Sequence, residues 1–481
     1  MPATGPSLYC HTKFINQAFA IAVEFTYLCG MNIHFISIGG AVMHNMAIAL
    51  HKEGFRVTGS DDEIFEPSRS RLARHGLLPA KEGWDADRIT KALDGIIVGM
   101  HARKDNPELQ RARELGIRTW SFPEYIYERS RHKTRVVIGG SHGKTTITAM
   151  VMHVMRYHGM DFDYMVGSQL EGFDTMVRLT EKAPVVILEG DEYLSSPLDP
   201  RPKFHLYRPH IALLTGIAWD HMNVFPTFEV YLEQFREFMQ RIEPNGVLFW
   251  FDGDEHLAAM TEELTVENHS YTAHPYLPET DNTFLDTGSD PVSVPFFGKH
   301  NMQNISGALH ICRELGLTGE QFYEAIASFE GAARRQQLLA EGDGKRVYLD
   351  FAHAPSKVRA TVEGFRERYP GHHIVACLEL HTFSSLNKNF LPQYARSMDA
   401  ADEAVVYYNP EVVRHKNLPM INEQEIRQGF DRADLEVISN RDTLLKRWRK
   451  GYDRNTVLLW MTSGSFSGID LAAEAWRITG Q

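Results

Sequence analysis

Gly140-Ser141-His142-Gly143-Lys144-Thr145-Thr146 sets a flexible loop in front of a lysine and two hydroxyls. Those residue types, in that order, suit a phosphate ester. The backbone N–H groups of a glycine turn can face an anion, Lys144 can reach the outer phosphates of a triphosphate, and the Thr145 hydroxyl can sit on Mg²⁺. The loop is shorter than the usual G-x-x-x-x-G-K-[ST], because Ile138 stands where the first glycine would be. By itself, G-x-x-G-K-T also suits an ordinary glycine turn before a buried helix. Two further clusters, Glu189-Gly190-Asp191-Glu192 and Asp220-His221, supply carboxylates and a histidine. Each alone could be a solvated loop charge; together with the lysine and threonine they form a donor set for a divalent cation and a triphosphate.

The flanks favour the triphosphate. Val136-Val137-Ile138 is a β-branched run, and Ile147 to Met155 is apolar and suits a helix, so the loop lies between a strand and a helix N-terminus. Ala183 to Leu188 and Ile211 to Thr215 read as further buried strands. Their C-terminal ends carry the acidic clusters, where ligands bind in open parallel sheets. Upstream, Ile33 to Gly40 predicts a strand entering a glycine turn, Ala41 to Glu53 a helix with Met43, Met46, Ala47 and Leu50 inward, and Phe55 to Asp61 a second strand. This is a Rossmann-like beginning, with an acid about twenty positions after the glycines. Val42 and Asn45 occupy places where a dinucleotide fingerprint has glycines, which argues against a plain nicotinamide site. Pro275 to Pro295 reads as loop with short extended pieces, followed by a helix over Ile305 to Leu315. Asn301 and Asn304 share one helix face. After Gly331 to Gln336 the alternation restarts, with strands at Arg346 to Asp350, His372 to Leu380, Glu403 to Tyr408 and Thr456 to Met461.

The fold class expected is therefore α/β in three domains. An extension over 1–30 precedes a Rossmann-like domain over 31–132, a central P-loop ATPase domain over 133–332 and a Rossmann-like C-terminal domain over 333–481. The basic connector Arg129 to Arg135 and the segment Gly331 to Gln336 serve as linkers.

Composition narrows the function classes. Hydrophobic residues make up 43% and charged residues 23%, as in globular proteins, and the formal charge of −12 disfavours nucleic acid or anionic lipid as a partner. Cys10, Cys29, Cys312 and Cys377 show no metal-like spacing, which fits a reducing cytoplasm. No apolar run approaches the roughly 18–20 residues of a membrane span, and residues 1–30 make a poor signal peptide.

The motif order resembles the Mur ligase family, ATP-dependent amide-forming enzymes of bacterial peptidoglycan metabolism. The matching pieces are Gly140 to Thr146, Glu189 with Asp191-Glu192, Asp220-His221, His300-Asn301 with Asn304, Arg335, and Asp350 with His353-Ala354-Pro355. Two members of the family act on UDP-N-acetylmuramate, one adding L-alanine and the other the murein tripeptide L-alanyl-γ-D-glutamyl-meso-diaminopimelate. Asp191-Glu192-Tyr193, Asp199 to Tyr207 and Ser463 to Ile469 look closer to the tripeptide-adding member. The resemblance thus implies a cytoplasmic ligase that uses ATP and Mg²⁺ to join UDP-N-acetylmuramate to a murein peptide in peptidoglycan recycling, acting as a monomer or weak dimer. Addition of L-alanine is the alternative.

The resemblance also implies roles. Gly140, Ser141, His142, Gly143, Lys144, Thr145 and Thr146 would cradle the triphosphate, with Lys144 on its outer phosphates. Thr145 and Glu189 would hold one Mg²⁺ and His221 a second, Asn301 and Asn304 would contact adenine, and Arg335 and Asp350 would reach phosphates and ribose. Gly39, Gly40, Ser60 and Asp61 would take the UDP moiety. Gly216 and Ala218 stand where relatives usually carry asparagine and glutamate, and the loop His381 to Lys388 lacks an arginine expected to face the peptide. Rival readings are a P-loop kinase or ATPase, which needs neither flanking domain, and a nucleotide-gated binding protein.

Overall fold

The computed structural model describes residues 30–100, 102–196, 198–219, 222, 224–279, 282–331 and 334–480. The extension expected over residues 1–30 therefore lies outside the described residues, Gly30 excepted. The chain forms two compact units. The first runs to Tyr125 and includes 177–180 and 195–200; the second comprises the remainder.

In the first unit, strands β1 (Asn32–Ile36), β2 (Arg56–Ser60), β3 (Gly95–Val98) and β4 (Thr119–Ser121) form a parallel sheet in the order β2-β1-β3-β4. Ile33, Phe35 and Ile36 of β1 are fully buried, as expected of a parallel strand covered on both faces. Helix Ala41–Lys52 buries every residue from Met43 to Leu50, including His44 and Asn45. The helix is therefore covered beyond the single stripe legible in its sequence, because helix Ser68–Arg74 and strand Val177–Arg178 of the same unit also pack on it.

The second unit contains two large sheets. Strands β5 (Thr134–Gly139), β6 (Phe162–Met165), β7 (Val185–Glu189), β8 (Ile211–Leu214), β9 (Val247–Phe251) and β10 (Glu267–Tyr271) run parallel in the order β10-β9-β8-β5-β7-β6. Helix Lys144–Tyr157 follows β5 and packs against helices Lys299–Glu314 and Gly319–Ile326. The Pro275 to Pro295 stretch forms a small antiparallel sheet, β11 (Tyr276–Pro278), β12 (Thr283–Leu285) and β13 (Val292–Val294). The last sheet comprises β14 (Gln337–Gly342), β15 (Lys345–Asp350), β16 (His373–Leu380), β17 (Glu403–Tyr408), β18 (Glu436–Ile438) and β19 (Thr456–Met461) in the order β14-β15-β19-β16-β17-β18. β14 alone is antiparallel to its neighbour. Along β16, Ile374, Ala376, Leu378 and Leu380 join one core while Val375 and Cys377 join the other. That alternation places a core on each face.

Three local readings change. The helix expected from Ile305 begins at Lys299, so His300, Asn301 and Asn304 lie within its first two turns. β14 begins directly after the segment read as a linker. The basic, polar connector Arg129 to Arg135 is partly interior: Lys133 and Arg135 are buried. Lys133 Nζ donates to Asp163 Oδ2 at 2.5 Å, and Arg135 is wrapped by the carbonyls of Ser130, Arg131 and Tyr207 and by Glu243 Oε1. Basic side chains enter an interior when such acceptors neutralise them, and local sequence does not show those acceptors.

Candidate active site at the phosphate loop

The loop after β5 needs its glycines. Gly140 has φ +113° and Gly143 φ +68°. A β-carbon at Gly140 would lie 2.3 Å from Thr215 Oγ1, and one at Gly143 would lie 2.1 Å from Asn304 Oδ1. The loop is pinned to the end of β8: Ser141 N donates to Gly216 O at 2.9 Å, Ser141 Oγ to Ala218 O at 2.9 Å, and Ala218 N back to Ser141 Oγ at 2.8 Å. The Thr215 hydroxyl donates to His142 O.

Helix Lys144–Tyr157 begins with Lys144 and Thr145. Thr145 Oγ1 donates to Glu189 Oε1 at 2.7 Å, and Glu189 Oε2 accepts from Gly167 N at 2.7 Å. Lys144 Nζ donates to Gly140 O and to Glu192 Oε2, each at 2.7 Å. Burial pulls the Lys144 ammonium down, but Glu192, Asp191 and Glu189 outweigh it and hold the group above its ordinary value. Asp191 pairs with Lys203. Burial pushes its carboxyl up, yet Lys203 and Lys144 prevail and hold it well below the carboxylate range.

The loop opens into a cavity of about 470 Å³ that reaches from Lys144 and Thr145 to Asn301, Asn304, Arg335 and Asp350. Asn304 Nδ2 donates to Asn301 Oδ1 at 3.3 Å, and Asn301 Nδ2 to Gln336 Oε1 at 3.0 Å. Gln336 N in turn donates to Asp350 Oδ2 at 2.9 Å. Asp350 Oδ1 accepts from Ala352 N at 2.7 Å, so this carboxylate organises the turn after β15. The Arg335 guanidinium lies 4.5 Å from the centre of the Phe351 ring, close enough for a cation–π contact. His300 and His353 line the same cavity, and burial pulls the His300 imidazole down. His221 and Asp220 lie outside the described residues.

Sequence reasoning missed Gln336, which couples helix Lys299–Glu314 to β15, and Asp254. Asp254 caps helix Glu255–Thr261 and accepts from Ile217 N at 2.5 Å, steadying the loop after β8. Asp-Glu before a short apolar run is a capping signal that could have found Asp254. Nothing in the spacing points to Gln336.

In the first unit, the Gly39-Gly40 turn is closed by Asp61, whose Oδ2 accepts from Gly39 N at 2.7 Å. Burial pushes the Asp61 carboxyl up to about 7, against the lowering effect of that bond. Ser60 is fully buried and its hydroxyl donates to Glu108, so its side chain supports the sheet end. The Ser60 carbonyl accepts from Ser37 N and Ile38 N. Glu108 is itself interior, and its carboxylate oxygen lies 3.3 Å from His34 Nε2.

Comparison with known proteins gives a consistent picture. The Mur ligase family catalytic domain matches residues 32–134, the Mur ligase middle domain 138–312 and the Mur ligase glutamate ligase domain 334–464. The chain is 30% identical over 390 residues to a UDP-N-acetylmuramate–L-alanine ligase of Arthrobacter sp. (strain FB24), covering 78% of this chain and 80% of that one. It is 26% identical over 451 residues to the UDP-N-acetylmuramate–L-alanyl-γ-D-glutamyl-meso-2,6-diaminoheptandioate ligase of Escherichia coli (strain K12), covering 91% and 96%. The crystal structure of a murein peptide ligase from Psychrobacter arcticus shares the fold, with a TM-score of 0.65 at 22% identity, covering 94% of this chain and 99% of that one. With its α/β sheets and phosphate loop in that order, the chain belongs to the Mur ligase family, the ATP-dependent amide-forming ligases of peptidoglycan synthesis.

Proposed function

We propose that this protein joins the lactyl carboxylate of UDP-N-acetylmuramate to the free amine of L-alanyl-γ-D-glutamyl-meso-diaminopimelate, in the cytoplasm, as a step of peptidoglycan recycling. The observation that carries the reading is the convergence of Lys144, Thr145, Glu189, Asn301, Asn304, Arg335 and Asp350 on one cavity. On this reading residues 31–132 take the UDP-sugar through the Gly39-Gly40 turn and Asp61, 133–332 the ATP, and 333–481 the amine substrate.

The residues suit a magnesium-bound triphosphate. A β-carbon at Gly140 or Gly143 would fill the cradle, and Thr145 and Glu189 place hydroxyl and carboxylate oxygens together. Mg²⁺ keeps several waters and draws ligands from phosphates, so one hydroxyl and one carboxylate from the chain are a fitting contribution. Bound there, the ion would neutralise charge on the phosphates.

A carboxylate is a poor acylating agent in water, so it must first gain a leaving group. The muramate carboxylate attacks the γ-phosphorus of ATP, ADP departs, and an acyl-phosphate forms. The peptide amine then attacks the acyl carbon to give a tetrahedral intermediate, inorganic phosphate departs with the C–O bond electrons, and the nitrogen gives up its extra proton to the departing phosphate or to solvent. In the first step the chain's task is alignment and charge neutralisation. Lys144 meets the charge on the transferred group, Asn301 and Asn304 hold the base, and Arg335 and Asp350 secure phosphates and ribose. His221 would serve a second ion. Closing off the cavity keeps water from the acyl-phosphate.

The likeness to the Escherichia coli ligase over 91% of this chain, together with Asp191-Glu192-Tyr193 and the segments Asp199 to Tyr207 and Ser463 to Ile469, supports the tripeptide. The 30% identity to the Arthrobacter ligase favours L-alanine as the second reading. Product mass after incubation with ATP, Mg²⁺, UDP-N-acetylmuramate and equal amounts of L-alanine and tripeptide tests the choice. A product heavier by one alanine residue alone overturns the tripeptide reading.

A further inference from the structure

Lys144 does not point into open space. It turns back across its own loop, giving one N–H to Gly140 O and another to Glu192 Oε2, both at 2.7 Å. Glu192 is a fixed acceptor. Its side chain is 2% exposed, and its other oxygen accepts from the hydroxyl of the fully buried Tyr231 at 3.1 Å. The Tyr231 oxygen is also 3.2 Å from Ser141 Oγ, the hydroxyl that ties the loop to Ala218. One buried chain therefore runs from the loop, through Tyr231 and Glu192, to the lysine.

We infer that Glu192 is a positioning residue that parks the Lys144 ammonium against the phosphate loop and surrenders it when a polyphosphate arrives. The inference rests on the nucleotide reading of this cavity and adds a restraint within it. An anion cradled by the loop must take Lys144 from a buried carboxylate and must then sit near that carboxylate's charge. At low effective dielectric such repulsion is substantial. A diphosphate or triphosphate with its metal can displace the carboxylate; a single inorganic phosphate competes poorly. Glu192 therefore lowers affinity for every anion while keeping Lys144 charged and pre-placed, and it favours polyphosphates over inorganic phosphate.

The test is calorimetric titration of the full chain with ADP and Mg²⁺, and separately with inorganic phosphate, for wild type, Glu192→Gln and Glu192→Asp. Glutamine keeps the shape and an oxygen for Lys144 but loses the charge. Its Kd for ADP is expected to fall about tenfold, the order of one displaced charge contact, with KM for ATP falling in parallel and kcat not rising to match. Inorganic phosphate should gain more than ADP does, so discrimination narrows. Aspartate, too short to reach Tyr231 and Lys144 together, should lie between, and it decides the matter if the glutamine variant does not fold. Folded variants that bind ADP as wild type does, or more weakly, overturn the inference. A wild type that binds no adenine nucleotide overturns instead the functional reading beneath it.

Discussion

Gly140→Ala and Gly143→Ala are the same chemical change three residues apart, and the structure assigns them different consequences. At Gly140 the backbone sits at φ +113°, a region L-residues rarely adopt, which costs of order 1–3 kcal/mol. The new methyl would meet Thr215 Oγ1 at 2.3 Å, Thr215 N at 2.7 Å and Gly216 O at 3.0 Å. Two of those atoms are backbone and cannot rotate away. Relief requires the end of β8 to move, which strains the Thr215 N–Gly139 O and Ser141 N–Gly216 O bonds, each worth about 1 kcal/mol. The sum is about 3–5 kcal/mol, a large part of the roughly 5–15 kcal/mol that holds a domain folded. At Gly143, φ is +68° and the methyl would meet Asn304 Oδ1 at 2.1 Å. A left-handed alanine costs about 1 kcal/mol, and the Asn304 amide can swing aside at the expense of its 3.3 Å bond with Asn301. Gly143→Ala should fold with a modest loss of thermal stability and bind ADP about tenfold more weakly, because the displaced amide and the methyl both enter the cradle. Gly140→Ala should lose most of its thermal stability or fail to accumulate folded. Thermal unfolding with and without ADP and Mg²⁺, paired with ADP titration, reads both. A Gly140→Ala protein that melts and binds ADP as wild type does would refute the assigned steric role.

Removing the Lys144 ammonium with Lys144→Ala should abolish amide formation while UDP-N-acetylmuramate binding stays measurable; full turnover in that variant rules out its role on the phosphates. Truncating Lys133 to alanine removes the 2.5 Å ion-pair partner of the buried Asp163 carboxylate and should cost a few kcal/mol, measured by denaturant unfolding; a loss below about 1 kcal/mol would show that this pair contributes little to the fold. Burial raises the Asp61 carboxyl from about 4 to about 7. The folded chain then holds a proton that the unfolded chain releases, so stability contributed by the neutral acid is full below about pH 4 and is lost as pH rises through about 7. Asp61→Asn should remove that slope from thermal unfolding measured between pH 5 and 8; an unchanged slope would show that Asp61 is ionised throughout.

The first strand-loop-helix and the phosphate loop are legible because their signals are local. Gly140, Gly143 and Lys144 are set by a turn, a φ angle and a helix start that neighbouring residues dictate. Helix Pro107–Leu115 likewise starts where a local signal sets it, at an Asn106 cap followed by a proline in the first turn. The sequence read Arg129 to Arg135 as a basic, polar connector, because charge is visible in a string of letters and the acceptors that bury Lys133 and Arg135 are not. It read Ser60 as a ligand contact, whereas its hydroxyl is spent on Glu108, which lies 48 positions later. Gln336 escaped notice because the atoms that give it meaning, on Phe297, Asn301 and Asp350, are brought to it by packing of the second unit.

What the sequence determined by itself is the α/β class and the place of the glycine-rich strand–loop–helix that runs from β5 into helix Lys144–Tyr157, since strand, turn and helix start each follow from residues close in the chain. Tertiary structure alone decided that Lys144 rests on Glu192, that Asp350 shapes the turn facing Asn301, and that Lys133 and Arg135 of the basic connector are interior. Those outcomes depend on which distant carboxylates and carbonyls the sheets bring within about 3 Å, the range over which a hydrogen bond or buried ion pair acts.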